Sequence, residues 1–432
     1  MDYDQAVAQI SARGPEQVGA APTLERVERL ADLLDHPERA APALHLTGTN
    51  GKTTTARMCT ALLAAFGVGA GTYISPHLQD IRERITVAGR PISERDLADT
   101  WAYLVPFIEQ VDGLGGRRVT YFEAVTMLAF TWFAEVPVDA TVVEVGMGGL
   151  WDATNLVRGE VAIITEIGMD HPQLGATPAE KAVEKAGIIK DGSIVVSHRQ
   201  EPEVMEVLRE RVEASNARLL VADEAFGVER RRLAHGGQLL DLRTPVGLTR
   251  DVFVPLHGRH QALNAATALA AVQAFLGNRE LDADAIRAGF AAVTSPGRLE
   301  VVSRKPLVLL DGAHNEPAAK VLATTLLEEF VADRRTVVLG CLADKDVRGI
   351  LRALAPAVGR LVVTAPDTPR AADPEDLRKQ AESLGMNAEV APSVPAAVQA
   401  AANAGEDDAV VVTGSLYTVG EARIALLGNG PA

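Results

Sequence analysis

From about residue 40 onward, short runs of β-branched and aliphatic residues alternate with longer Ala/Leu-rich stretches of helical period. That alternation predicts an α/β fold built on a doubly wound, largely parallel sheet. Strands are expected at 43–47, 69–74, 140–145, 161–165 and 194–197. In such sheets ligands bind beyond the carboxyl ends of the strands, and the segments at those ends are polar and Gly-rich. Gly48-Thr-Asn-Gly-Lys-Thr comes after the first run, Ser75-Pro-His after the second, Glu144-Val-Gly-Met-Gly-Gly ends the third, and Gly168-Met-Asp-His comes after the fourth. Four strands therefore aim chemistry at one edge.

Residues 199–255 are charged, Arg-rich and broken by Gly, with no clear helical period, and are read as an excursion of short strands. Helices are expected at 261–275 and 282–292, and Thr294-Ser-Pro-Gly-Arg298 reads as a hinge, because Pro and Gly together end a helix and set a turn. A second α/β series comes next, with strands near 307–310, 336–339, 361–364 and 409–413. The expected organisation is a larger, P-loop NTPase-like domain over 1–295 and a smaller Rossmann-like domain over 296–432.

At 432 residues and 47% hydrophobic content the chain is long enough for two or three compact cores. No apolar run approaches the roughly 20 residues of a spanning helix, and a cytoplasmic protein is expected. Cys59 and Cys341 stand far apart, outside any metal-binding spacing, which argues against a disulfide framework or structural zinc. A net charge of −15 opposes nonspecific nucleic-acid or anionic-membrane binding. Any anionic ligand must be held by local features.

The strongest local feature is Gly48-Thr49-Asn50-Gly51-Lys52-Thr53-Thr54, between a strand and an Ala/Leu/Met-rich helix. Backbone N–H groups and the helix N-terminus can cradle phosphate oxygens while Lys52 neutralises them. The general Walker pattern places a glycine where this chain has Leu46, so the match to that pattern is incomplete. A bound triphosphate calls for Mg²⁺, a hard ion that takes oxygen ligands. Ser75, Glu144 and His171, at neighbouring strand ends, are the candidate ligands, and Thr53 or Thr54 can assist.

Thr47-Gly-Thr-Asn-Gly-Lys-Thr, Ser75-Pro-His-Leu, Thr120-Tyr-Phe-Glu, the run from Glu144 through Trp-Asp-Ala-Thr to Asn155, Asp170-His171, Glu184-Lys-Ala-Gly, Asp311-Gly-Ala-His-Asn315 and Thr413-Gly-Ser-Leu-Tyr417 resemble, in order, the motifs of the folylpolyglutamate and dihydrofolate synthase family. The P-loop is shared with the wider Mur ligase superfamily, whereas Ser-Pro-His-Leu, Trp-Asp-Ala-Thr-Asn and Asp-Gly-Ala-His-Asn are more specific to the folate branch. The resemblance implies ATP-dependent addition of glutamate to dihydropteroate, a reduced folate, or both, through an acyl phosphate. It implies two Mg²⁺ ions bound by Ser75, Glu144, His171 and a CO₂-derived carbamate on Lys185; the bland alternative for Lys185 is a surface helix residue. Asn264 matches the adenine contact, and Arg298 and Asp311 match residues that reach the nucleotide from the second domain. His314 and Ser415 match positions near the incoming glutamate, with His314 among the catalytic residues beside Lys52, Lys185 and His171. Thr120, Phe122, Asp152 and Ala153 match the pterin site, and Pro22-Thr-Leu-Glu-Arg-Val resembles the substrate loop in part. The family also implies a monomer.

Two positions depart from the family pattern. Leu150 stands where many relatives carry Arg, and Asn315-Glu316-Pro317 replaces the usual Asn-Pro. A Mur-type peptidoglycan ligase shares the loop and the acyl phosphate, but here little more than 40 residues precede the P-loop, too few for a nucleotide-sugar domain. A P-loop ATPase without ligase activity would not need the Asp-Gly-Ala-His and Gly-Ser-Leu elements.

Overall fold

The computed structural model describes residues 1–14, 23–169, 172–401, 405 and 407–428. Eight strands make the first sheet: β1 (Ala43–Thr47), β2 (Ala70–Tyr73), β3 (Ile85–Val87), β4 (Arg90–Pro91), β5 (Ala140–Glu144), β6 (Gly159–Ile164), β7 (Ile194–Ser197) and β8 (Arg218–Val221). Their order is β4-β3-β2-β5-β1-β6-β7-β8. From β2 to β8 the pairings are parallel, and β3 and β4 add an antiparallel edge. β1 and β5 are buried along their whole length, as expected of strands covered on both faces. One face packs under the P-loop helix Lys52–Ala65 with Arg259–Phe275 and Ala283–Ala291. The other packs under Glu94–Gly113 and Tyr121–Glu135.

The strands expected in this half are present to within two residues at either end. The 199–255 stretch differs from expectation. It contains a 13-residue helix, Pro202–Ala214, before β8 rejoins the main sheet. Only Val204, Met205 and Leu208 of that helix are buried. A narrow stripe on an otherwise charged helix leaves almost no period to read in the sequence. Strands β9 (Gly227–Ala234), β10 (Gly237–Thr244) and β11 (Gly247–Val254) then form the expected excursion, a three-stranded antiparallel sheet.

The Thr294–Arg298 turn is present, with Gly297 at φ +68° and the Arg298 N–H donating to the Ser295 carbonyl at 3.1 Å. Beyond it lies the second sheet: β12 (Glu300–Arg304), β13 (Leu307–Leu310), β14 (Arg335–Leu339), β15 (Arg360–Val363), β16 (Ala388–Val390) and β17 (Ala409–Thr413). The order β12-β13-β17-β14-β15-β16 places the two strands that the sequence did not predict, β12 and β16, at the edges. Both are poorly buried, so neither carries the apolar signature of the central strands.

Candidate active site

The P-loop is shaped by close backbone approaches. A Cβ on Gly48, at φ +148°, would lie 1.9 Å from Thr165 Oγ1, and one on Gly51, at φ +87°, would lie 2.8 Å from Asn264 Oδ1. Only glycine fits either place. Thr49 laces the loop to the chain after β6: its N–H donates to the Glu166 carbonyl at 2.6 Å, and its hydroxyl donates to the Gly168 carbonyl (3.2 Å) and accepts from the Gly168 N–H (3.0 Å). Lys52 opens the helix and folds back over the loop, donating from Nζ to the carbonyls of Gly48 (3.0 Å) and Thr49 (3.3 Å).

Glu144, at the end of β5, is 1% exposed. Its two oxygens accept from the Thr53 hydroxyl, each at 3.0 Å, and Oε2 accepts from the Ser75 N–H at 3.3 Å. Burial pushes its carboxyl above the ordinary range, opposed by the nearby Lys52 charge and the Thr53 hydrogen bond. Glu144, Thr53 and Ser75 thus present oxygen donors at the mouth of the phosphate loop, a set that suits Mg²⁺. No group of three His, Cys, Asp or Glu converges among the described residues. His171 lies outside the described residues. Lys185, on the Pro178–Lys185 helix, is buried rather than on the surface, and its Nζ donates to the Gly48 carbonyl at 2.7 Å. Its amine therefore stands at the root of the phosphate loop.

The opposite wall comes from beyond the Thr294–Arg298 turn. Asp311, after β13, accepts from the N–H groups of Ala313 and Leu299, both at 2.9 Å. Burial raises its carboxyl while the Arg298 guanidinium pulls it back down. His314 Nδ1 lies 2.9 Å from the Gly312 carbonyl. Ser415 caps Leu416–Leu427, its Oγ accepting from the Thr418 N–H at 3.1 Å. One contact ties this side to the P-loop, Asn315 Nδ2 donating to Asn50 Oδ1 at 3.3 Å, and another ties the turn itself to it, the hydroxyls of Thr54 and Ser295 lying 2.9 Å apart. Between the walls runs a cleft of about 550 Å³, lined by Thr49–Thr54, Ser75, Glu144, Asn264, Arg298, Asp311, His314 and Ser415.

Thr120, Phe122, Asp152 and Ala153 do not line this cleft; Phe122 reaches its edge at Gly146, where an added Cβ would lie 2.4 Å from the Phe122 ring. Thr120 caps Tyr121–Glu135, its hydroxyl accepting from the Glu123 N–H at 3.3 Å and donating to Glu123 Oε2 at 2.9 Å. Asp152 holds its own loop: Oδ1 accepts from the Thr154 N–H (3.0 Å) and hydroxyl (2.5 Å), and Oδ2 from the Met147 N–H (2.9 Å). Ala153 is next in the same buried turn. Leu150 is 37% exposed. Pro22 lies outside the described residues, but Arg26 of the same motif pairs with Glu123 at 2.8 Å.

Sequence reasoning gave no role to His198, Gln261 or Tyr417, which line the cleft. Gln261 sits one turn before Asn264 and accepts from its Nδ2 at 2.9 Å, so helical spacing alone connects the two. His198 comes after β7 at the same sheet edge; burial holds its imidazole down at about 4, and its Nε2 has no partner.

The Mur ligase middle domain matches residues 46–272, and the Mur ligase glutamate ligase domain matches 297–416. A dihydrofolate synthase/folylpolyglutamate synthase of Mycobacterium tuberculosis is 45% identical over 95% of this chain and 91% of its own length. That of Bacillus subtilis is 34% identical over 95% and 96%. Mycobacterium tuberculosis folylpolyglutamate synthase complexed with ADP superposes with a TM-score of 0.94 at 42% identity, covering 100% of this chain and 99% of that one. An FPGS-AMPPCP-folate complex superposes at 0.87 and 33% identity, covering 99% and 100%. The resemblance drawn from the motifs thus extends to the whole chain and its three-dimensional structure, and the protein belongs to the dihydrofolate synthase/folylpolyglutamate synthase family of Mur ligases.

Proposed function

We propose that this protein uses ATP to join L-glutamate to the carboxylate of dihydropteroate, a reduced folate, or both. The observation that carries this reading is the cleft in which a P-loop and the Glu144 carboxylate face Asp311, His314 and Ser415 across the Thr294–Arg298 turn. Residues 1–295 act as the ATP-binding unit and 296–432 as the glutamate-ligase unit. Thr49–Thr54 hold the phosphates, Asn264 the adenine, and Arg298 and Asp311 the nucleotide from the far side. Thr120, Phe122, Asp152 and Ala153 form the pterin end, with the Phe122 ring as a stacking face. The substrate carboxylate attacks the terminal phosphate, ADP leaves, and the amine of glutamate, held near His314 and Ser415, displaces phosphate from the acyl phosphate to form the amide. Lys52 neutralises phosphate charge as the bond shifts, so the chain's contribution is positioning and charge compensation, without a protein nucleophile.

Ser75, Glu144 and His171 are the ligands in this reading, together with Lys185 as its carbamate, for two Mg²⁺ ions. Bound there, Mg²⁺ supplies charge neutralisation at the transferring phosphoryl group. The Lys185 amine, buried at the root of the phosphate loop, supports its assignment: with CO₂ it becomes an anionic oxygen donor. Closure about the Thr294–Arg298 turn gates turnover. Both walls of the cleft come from one chain, as a monomer requires. The protein works in the cytoplasm, and no described helix is long and apolar enough to cross a membrane.

The test is ATP turnover with Mg²⁺ and L-glutamate in parallel reactions containing dihydropteroate, a tetrahydrofolate or a UDP-muramoyl substrate. Glutamate-dependent ADP release with a pterin, and a product heavier by one glutamyl unit, is the expected result. Turnover with the muramoyl substrate alone, or none that depends on glutamate, refutes the assignment.

A further inference from the structure

The loop that carries Ser75 leaves β2 of the first sheet, reaches the second unit at its tip and returns to β3. Leu78 packs against a core built by β13, β14, β15, β17 and the Leu416–Leu427 helix, including Val412, Val419 and Ala422. Gly420 lies directly against it: a Cβ there would stand 2.3 Å from the Leu78 carbonyl oxygen. Next to Leu78, Gln79 Oε1 accepts from Arg423, and Arg423 Nε pairs with Glu300 at 3.0 Å. The tip of the loop is held by one carboxylate. The Glu83 carboxylate, 2% exposed, accepts three successive N–H groups, from Leu78 (2.7 Å), Gln79 (2.9 Å) and Asp80 (2.9 Å). At the root the Ser75 N–H donates to Glu144.

We propose that Leu78 and Gly420 are positioning residues for the metal end of the site: the seat of the Leu416–Leu427 helix on Leu78 sets where Ser75 stands against Glu144. The inference rests on the reading of Ser75 and Glu144 as magnesium ligands. Only Pro76 and His77 stand between Ser75 and Leu78; Leu78 is tied by its N–H to Glu83, His77 Nδ1 accepts from Arg84 Nε at 2.8 Å and the Ser75 N–H is tied to Glu144, which leaves that link little slack. A shift of the second unit at Gly420 is therefore passed to the Ser75–Glu144 pair instead of being absorbed. In this way the glutamate-binding half reports its position to the phosphate half by a route separate from its own contacts with the nucleotide.

Gly420→Ala tests the link. The position is helical, where Ala is intrinsically favoured over Gly, and the new methyl meets only the backbone of Leu78 at short range. Mn²⁺ binding to the full-length protein with ADP, tracked by electron paramagnetic resonance, is compared in the wild type, Gly420→Ala and Ser75→Ala. The expected result for Gly420→Ala is a loss of Mn²⁺ affinity on the order of tenfold, unchanged ADP affinity without metal, and turnover regained at high Mg²⁺. A purely structural defect would not yield to added metal. Wild-type Mn²⁺ affinity in Gly420→Ala, with weakened binding in Ser75→Ala, overturns the link. Wild-type affinity in Ser75→Ala removes Ser75 as a ligand and the inference with it. If Gly420→Ala does not fold, Leu78→Ala is judged by the same criteria.

Discussion

Arg26 and Glu123 tie the Glu25–Leu33 helix to the start of Tyr121–Glu135, beside the proposed pterin site. The guanidinium meets the carboxylate through Nε at 3.0 and 2.9 Å and through its terminal nitrogen at 2.8 Å, and both side chains are 7% exposed. Arg26→Met removes the cation and leaves the carboxylate buried. Breaking such a pair from one side costs roughly 3–5 kcal/mol. Glu123 keeps two donors from Thr120, the N–H at 2.8 Å and the hydroxyl at 2.9 Å, so the lower end, about 3 kcal/mol, is expected. Arg26→Met with Glu123→Gln, which also removes the stranded charge, recovers at least half of that loss. Urea unfolding monitored by tryptophan fluorescence reads the effect, since Trp101 and Trp132 lie in the same core. In turnover assays Arg26→Met raises KM for the pterin and leaves KM for ATP in place. A loss below about 1 kcal/mol, or a double variant no more stable than Arg26→Met, refutes the view that this pair is a desolvated clamp.

The site and its surroundings carry three further expected outcomes. Glu144→Gln lowers turnover by roughly a hundredfold or more and weakens Mn²⁺ binding in parallel, while ADP binding without metal persists; calorimetry separates the two. Gly146→Ala drives a methyl into the Phe122 ring and raises KM for the pterin without raising that for ATP, as initial rates will register. Burial holds the His45 imidazole down at about 3, so the unfolded chain takes a proton that the folded one refuses, and stability falls as pH drops below 6.5. From pH 7 to pH 5 that single group removes about 2 kcal/mol, 1.5 units at 1.36 kcal/mol each; His45→Gln is expected to lose that much less over the same interval, by denaturant titration at both pH values.

The central strands and the cleft residues at their ends were legible because buried parallel strands are continuous apolar runs, and the polar punctuation comes directly after them. Glu144, Ser75 and the P-loop could be placed at one edge on that basis alone. Asp311, His314 and Ser415 needed the family resemblance, because nothing in a sequence says that one sheet edge will face another. The Pro202–Ala214 helix and the edge strands β12 and β16 were hidden for the opposite reason: they bury too little to leave a pattern. The role of Leu78 was equally invisible, since its partner Gly420 is more than three hundred residues away in the chain.

The contacts that cross the Thr294–Arg298 turn bear on how this chain can be recombined. Asn50 meets Asn315, and Thr54 meets Ser295, so residues of the phosphate loop itself have partners on or beyond the connecting segment. A chimera that joins residues 1–295 to the second half of a homologue keeps the Thr54–Ser295 pair but inherits a mismatched seam inside the nucleotide site unless Asn315 travels with Asn50. Exchange of halves, the simplest route to a new acceptor, is thus restrained at the loop that every acceptor must share.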